Sequence, residues 1–178
     1  MKFILSFLVF FMSAKLKDYR FWVALLLIVI TAVLMYSVYA RILLLHFEFA
    51  GELVHHWLSW AGVLFIAFFV PVFYFLKRYR PKSYRVLLGF HVFGNLLAFM
   101  FVSIHFTQQI IRPPQAYPDL GTGIVLYLAM LLLVLTGFLL RFSFFKAHFR
   151  SWRFIHTGST LAFYLIIVVH LLHGLEFI

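Results

Sequence analysis

Lys77-Arg78-Tyr79-Arg80-Pro81-Lys82-Ser83-Tyr84-Arg85 puts five positive charges into nine residues, between two long apolar runs. Charge of that density is not accommodated in hydrocarbon, so the stretch reads as a water-exposed loop. The runs on either side, 53–76 and 86–111, are each longer than the about 20 residues that cross a bilayer as helix. Three more apolar runs of adequate length follow the same reading, at 21–45, 123–140 and 154–175. Arg112-Pro113-Pro114-Gln115 stops the third run, because proline lacks an amide donor and restricts the residue before it. Pro118-Asp119-Leu120-Gly121 supplies turn chemistry ahead of the fourth. The expected fold is an all-α transmembrane helical bundle of about five spans.

Composition requires the same solvent. Of 178 residues 65% are hydrophobic and 11% charged, whereas a soluble domain is roughly half apolar and a quarter charged. The net charge of +10 suggests nucleic acid until the cations are placed along the chain. Thirteen of the fifteen Lys and Arg then fall on one side of an alternating five-span topology, and only Arg41 and Arg112 fall on the other. By the positive-inside rule the N-terminus is expected inside and the C-terminus outside. The cations thus signal topology, and no nucleic-acid partner is implied. Residues 1–20 read as a cytoplasmic or interfacial N-terminal segment. Met1–Met12 is too short to span, and Met12-Ser13-Ala14 is a poor signal-peptide cleavage site. Residues 21–178 form the transmembrane domain.

No cysteine is present. That excludes disulfides, thiolate metal sites, iron–sulfur clusters and covalent c-type haem. Titratable chemistry inside the membrane therefore falls to nine histidines. His91 and His105 share the third run and His156 and His170 the fifth, each pair 14 residues apart. Fourteen residues of helix rise about 21 Å and fall about 40° short of four full turns. Both histidines of a pair therefore share a face, at opposite leaflets. The third and fifth runs point the same way, so His91 and His156 lie at one level near the inner side, and His105 and His170 at one level near the outer side. If the two helices are neighbours, each level offers two facing imidazoles, which can clamp a haem from its axial sides. Gly94 and Ala98 beside His91, and Gly158 and Ser159 beside His156, are small enough to leave room for a porphyrin. Phe90, Phe93, Phe101, Phe163 and Tyr164 supply rings to pack it.

This arrangement resembles the bis-haem membrane cytochromes b, including the ferric reductase-like transmembrane domains, in which two helices each supply two histidines at this spacing. Trp152-Arg153-Phe154-Ile155-His156, followed by Phe163-Tyr164 and His170, is similar to the start of the last ligand helix in that superfamily. The resemblance covers about 86–176. It implies two non-covalent haem b groups, with His91, His156, His105 and His170 as axial iron ligands, and single-electron transfer across the bilayer. It also implies an oxidoreductase or its cytochrome subunit; the expected location is the cell membrane of a prokaryote. No Gly-rich dinucleotide fingerprint is present, so the expected donor is a membrane quinol or a separate redox protein or partner subunit. The acceptor lies on the opposite side.

The remaining polar groups gather toward the outer side: His46, His55, His56 and His173, with Glu48 and Glu52. They are expected either to form a quinone or proton-exchange site, or a place for an external metal acceptor, or to be hydrated helix ends. Gln108 and Gln109 carry the same alternatives. Pro113, Pro114, Tyr117 and Pro118 suggest a stiff outer loop. Two other classes are open on these residues. One is a transition-metal or proton transporter built on intramembrane His, and the other a non-catalytic membrane anchor for a partner subunit.

Overall fold

The computed structural model describes residues 18–45, 47–113 and 120–174. It is all-α apart from one two-stranded hairpin, and five helices are long and apolar enough to cross a membrane. They are α1 (Tyr19–Tyr39), α2 (Val54–Tyr79), α3 (Tyr84–Ile110), α4 (Leu120–Arg141) and α5 (Phe149–Gly174). The exterior is what lipid requires. Phe68 is 70% exposed and Leu161 66%, side chains that water would drive inward and hydrocarbon does not. The chain is thus a multi-pass membrane protein in contact with lipid.

Helix ends follow local chemistry. The Asp18 carboxylate accepts from the amide of Arg20 at 3.0 Å and caps α1. In the basic loop Arg80 leaves α2, and Pro81–Ser83 forms one 3-10 turn leading into α3. Within the spans the hydroxyls of Thr31, Ser103, Thr107 and Thr160 each donate to the carbonyl four residues earlier, at 2.7 to 2.8 Å. In hydrocarbon a hydroxyl has no water to turn to.

Two features depart from the sequence expectation. The first helix ends at Tyr39 rather than 45, where Arg41 takes φ 58°. The chain then forms a hairpin of β1 (Glu48–Phe49) and β2 (Glu52–Leu53), pairing Glu48 with Leu53 and Phe49 with Glu52. Its two turn residues, Ala50 (φ 51°) and Gly51 (φ 81°), both adopt the positive φ that a two-residue hairpin needs. The Trp57 indole N–H donates to Phe49 O at 2.8 Å and ties the hairpin to the first turn of α2.

The packing order is α1 on α3, α2 on α3, α3 on α4 and α4 on α5. Tyr164 of α5 closes the ring by donating to the carbonyl of Ile66 on α2 at 2.8 Å. Ile66, Ala98, Phe99, Leu126, Tyr127, Met130, Phe163 and Ile167 form the central core from four helices. A second cluster, Ala24, Leu96 and Phe142, seats α1. The Tyr127 hydroxyl, between Ser103 Oγ at 3.0 Å and Met35 Sδ at 3.3 Å, links α4 to α3 and α1.

The paired-histidine reading is conditional on the third and fifth helices being neighbours; in the fold α4 packs against both of them, and α3 and α5 have no extensive backbone packing of their own. Contact between α3 and α5 is made by side chains, across an internal space.

Candidate functional site: histidines at two levels of the bundle

At the inner level His91 of α3 and His156 of α5 come together. Their ring centres are 6.5 Å apart and their planes 89° to one another. Each ring is held from behind. Phe73 of α2 stacks on His91 at 4.4 Å with planes 10° apart, and the Asn95 side-chain amide lies 3.1 Å from His91 Nδ1. It is the amide nitrogen, Nδ2, that faces Nδ1, while Asn95 Oδ1 is buried without a hydrogen-bond partner; turning the amide end for end would let that oxygen accept from Nδ1–H and leave Nε2 of His91 its lone pair. His156 Nδ1 lies 2.9 Å from Thr136 Oγ1 of α4. The Thr136 hydroxyl also lies 2.7 Å from Leu132 O; when it donates there, its oxygen accepts from His156 Nδ1–H, the tautomer in which Nε2 of His156 is the base or ligand atom.

The two rings border a cavity between α2, α3, α4 and α5, with about 730 Å³ of space between the atoms, part of it open to the outside. Its walls are apolar except for the histidines, Asn95, Thr160 and Tyr164. Gly137 makes the room beside His156: a Cβ there would lie 3.2 Å from His156 Cε1. Phe163 and Tyr164, named from the sequence as packing rings, line the cavity; Phe90 is 60% exposed on the outside of the bundle.

The other small residues have different work from the one expected of them. A Cβ on Gly94 would run into the Phe65 ring, and Gly62 abuts the backbone of Ala98, so Gly94 and Ala98 let α2 approach α3. Gly158 faces open space. In place of these, Gly137 of α4 is the glycine at the cavity.

The outer level is arranged differently. His105 Nδ1 lies 3.3 Å from His55 Nδ1 of α2. The ring centres of His55 and His56 each lie 5.4 Å from that of His105, and 4.3 Å from one another. His55 is buried, with 2% of its surface exposed. His56 Nδ1 meets the Glu52 carboxylate at 2.8 Å. His170 turns to α4, with its Nδ1 at 3.1 Å from Thr122 Oγ1 and its Cε1 at 3.5 Å from where a Cβ on Gly123 would stand. His105 and His170 are close enough to interact electrostatically, but the rings touching His105 are those of His55 and His56. His173 is an electrostatic neighbour of His170. Gln108 is buried and Gln109 partly exposed. His46 and residues 114–119 of the outer loop lie outside the described residues, as does Met1–Met12.

One regularity was missed in the sequence. Thr122-Gly123 and Thr136-Gly137 on α4 are 14 residues apart, as are His170 and His156 on α5. Each Thr-Gly pair receives one histidine of α5: the hydroxyl meets Nδ1 and the glycine lies under the ring edge. The signal was present as a repeat at the histidine spacing in the one span between the two ligand helices.

No family profile, curated protein or solved structure matches this chain.

Proposed function

We propose that this protein is a b-type membrane cytochrome, holding haem between His91 and His156 and passing single electrons between a quinol or protein donor and an acceptor across the bilayer. The observation that carries this reading is the pair of imidazoles brought to 6.5 Å between ring centres at the edge of an apolar cavity, each with a polar side chain beside its Nδ1. His91 and His156 would hold the haem iron between them.

A bound haem supplies a one-electron ferrous–ferric couple. The protein's part is to hold two neutral nitrogen donors, to exclude water and to set the surrounding dielectric. Thr136 and Asn95 orient the donors, Phe73 braces the His91 ring, and Gly137 leaves the space. Arg141 Nε is buried without a hydrogen-bond partner, one turn beyond Gly137; a carboxylate arriving with the cofactor would satisfy it. A second haem at the outer level, between His105 and His170, extends the same reading. It requires the His105 ring to leave His55 and His56.

The test is a reduced-minus-oxidised spectrum and haem quantification on protein purified after haem-replete expression. The expected result is b-type bands that His91→Ala or His156→Ala abolishes for the inner haem. Colourless wild-type protein, or full haem content in both variants, overturns the proposal.

A further inference from the structure

We propose that His55, His56 and His105 form a binding site for one divalent transition-metal ion at the outer end of the bundle, separate from the cavity between His91 and His156. The three residues come from two helices, and each offers a ring nitrogen within 4.8 Å of the others. The contact between His55 Nδ1 and His105 Nδ1, 3.3 Å, is the edge length of a tetrahedron with metal–nitrogen bonds of about 2.0 Å. Small rotations of His56 about its side-chain bonds bring in the third donor.

The donor set selects the ion. Neutral imidazoles each present one lone pair, and a single dication can use all three. Imidazole suits zinc, copper and nickel, whereas calcium and magnesium take oxygen donors. With no cysteine in the chain, no thiolate competes for the ion. Three nitrogen donors leave the fourth tetrahedral position to water or to an exchangeable group, the arrangement of open zinc sites.

Surrounding residues support the donors. Glu52 accepts from His56 Nδ1–H at 2.8 Å, the carboxylate–histidine pairing that orients metal-binding imidazoles and leaves Nε2 to the ion. Glu52 is held in turn by the hairpin, which Trp57 fastens to α2 at 2.8 Å. Adjacent residues of a helix point about 100° apart, yet His55 and His56 both reach His105, because its ring lies 5.4 Å from each of theirs.

The ion and a second haem would compete for the same imidazole, so counting both settles the matter. Protein is purified with its haem, stripped of loosely held metal with chelator, and titrated with Co²⁺ and then Zn²⁺. The expected result is one equivalent of Co²⁺ with the intense visible bands of tetrahedral nitrogen coordination, displaced by Zn²⁺. His55→Ala and His56→Ala each weaken Co²⁺ binding by more than about 100-fold, and Glu52→Gln by about tenfold. Haem bound at His91 and His156 is unchanged in all three variants, which also reports that they fold. Absence of stoichiometric binding, equal binding by the wild type and the His55→Ala/His56→Ala double variant, or a second haem lost in His105→Ala overturns the proposal. Metal binding by a chain that carries no haem leaves this site standing and removes only the cytochrome reading.

Discussion

The Thr136 hydroxyl lies 2.9 Å from Nδ1 of His156 and 2.7 Å from Leu132 O. A residue of α4 thus stands where, donating to Leu132 O, it holds hydrogen on Nδ1 of an α5 imidazole and leaves Nε2 as the ligand atom. Outer partners of this kind commonly change ligand affinity by 10- to 100-fold, about 1.4 to 2.7 kcal/mol.

Thr136→Val removes the acceptor while keeping the shape of the side chain. The expected outcome is weaker haem retention, by about tenfold or more, together with a shifted midpoint potential. Thr136→Ser, which keeps the oxygen, restores both. Haem titration and redox potentiometry on the two variants check this. Equal potentials in wild type and Thr136→Val would show that the bond does not orient a ligand.

Gly137 and Gly158 provide a matched pair. A Cβ at Gly137 would stand 3.2 Å from His156 Cε1, so leucine there crowds the imidazole, whereas a Cβ at Gly158 meets nothing within 4 Å. Gly137→Leu is expected to lose the inner haem with helical content retained, and Gly158→Leu to keep it. Absorbance and circular dichroism on the same samples give the comparison.

Where α2 crosses α3 the tolerance is for backbone. A Cβ on Gly62 would stand 2.9 Å from the Ala98 carbonyl oxygen, too close unless the helices separate. Gly62→Val is expected to cost about 1–3 kcal/mol, as overpacking does, and to lower the thermal midpoint. Gly89→Ala, with nothing within 4 Å, should be neutral or slightly stabilising, since alanine is the better helix former. Thermal unfolding in detergent distinguishes the two.

Orientation is open to a thiol assay, because the chain has no cysteine of its own. Thirteen of fifteen cations on one side predict that side to be cytoplasmic. Glu48→Cys in the hairpin is expected to react with a membrane-impermeant maleimide on intact cells, and Ser83→Cys in the basic loop only after lysis. The reverse pattern would invert the topology.

Five spans and the approximate places where they start and stop were legible in the chain, the early end of the first helix at Tyr39 excepted, because each depends on local quantities. Apolar length sets a crossing, charge ends it, and a spacing of 14 fixes the phase of two side chains on one helix. The meeting of His91 with His156 was also legible, since parallel direction and equal depth follow from counting crossings. The partners of His105 were not. Phase along one helix does not say which helix stands opposite, and that depends on how closely backbones approach at Gly62 and at Gly94. Those contacts draw α2 against α3 and carry His55 and His56 to the outer imidazole of α3. The hairpin of Glu48–Leu53, whose turn was hidden in Ala50-Gly51, then brings Glu52 to His56. Likewise, small residues near a histidine identify close approach without saying of what. Gly94 admits a phenyl ring of α2, and the glycine beside the cavity is contributed by α4. Pattern is a property of one segment, whereas a site is made by several segments at distances that packing alone supplies.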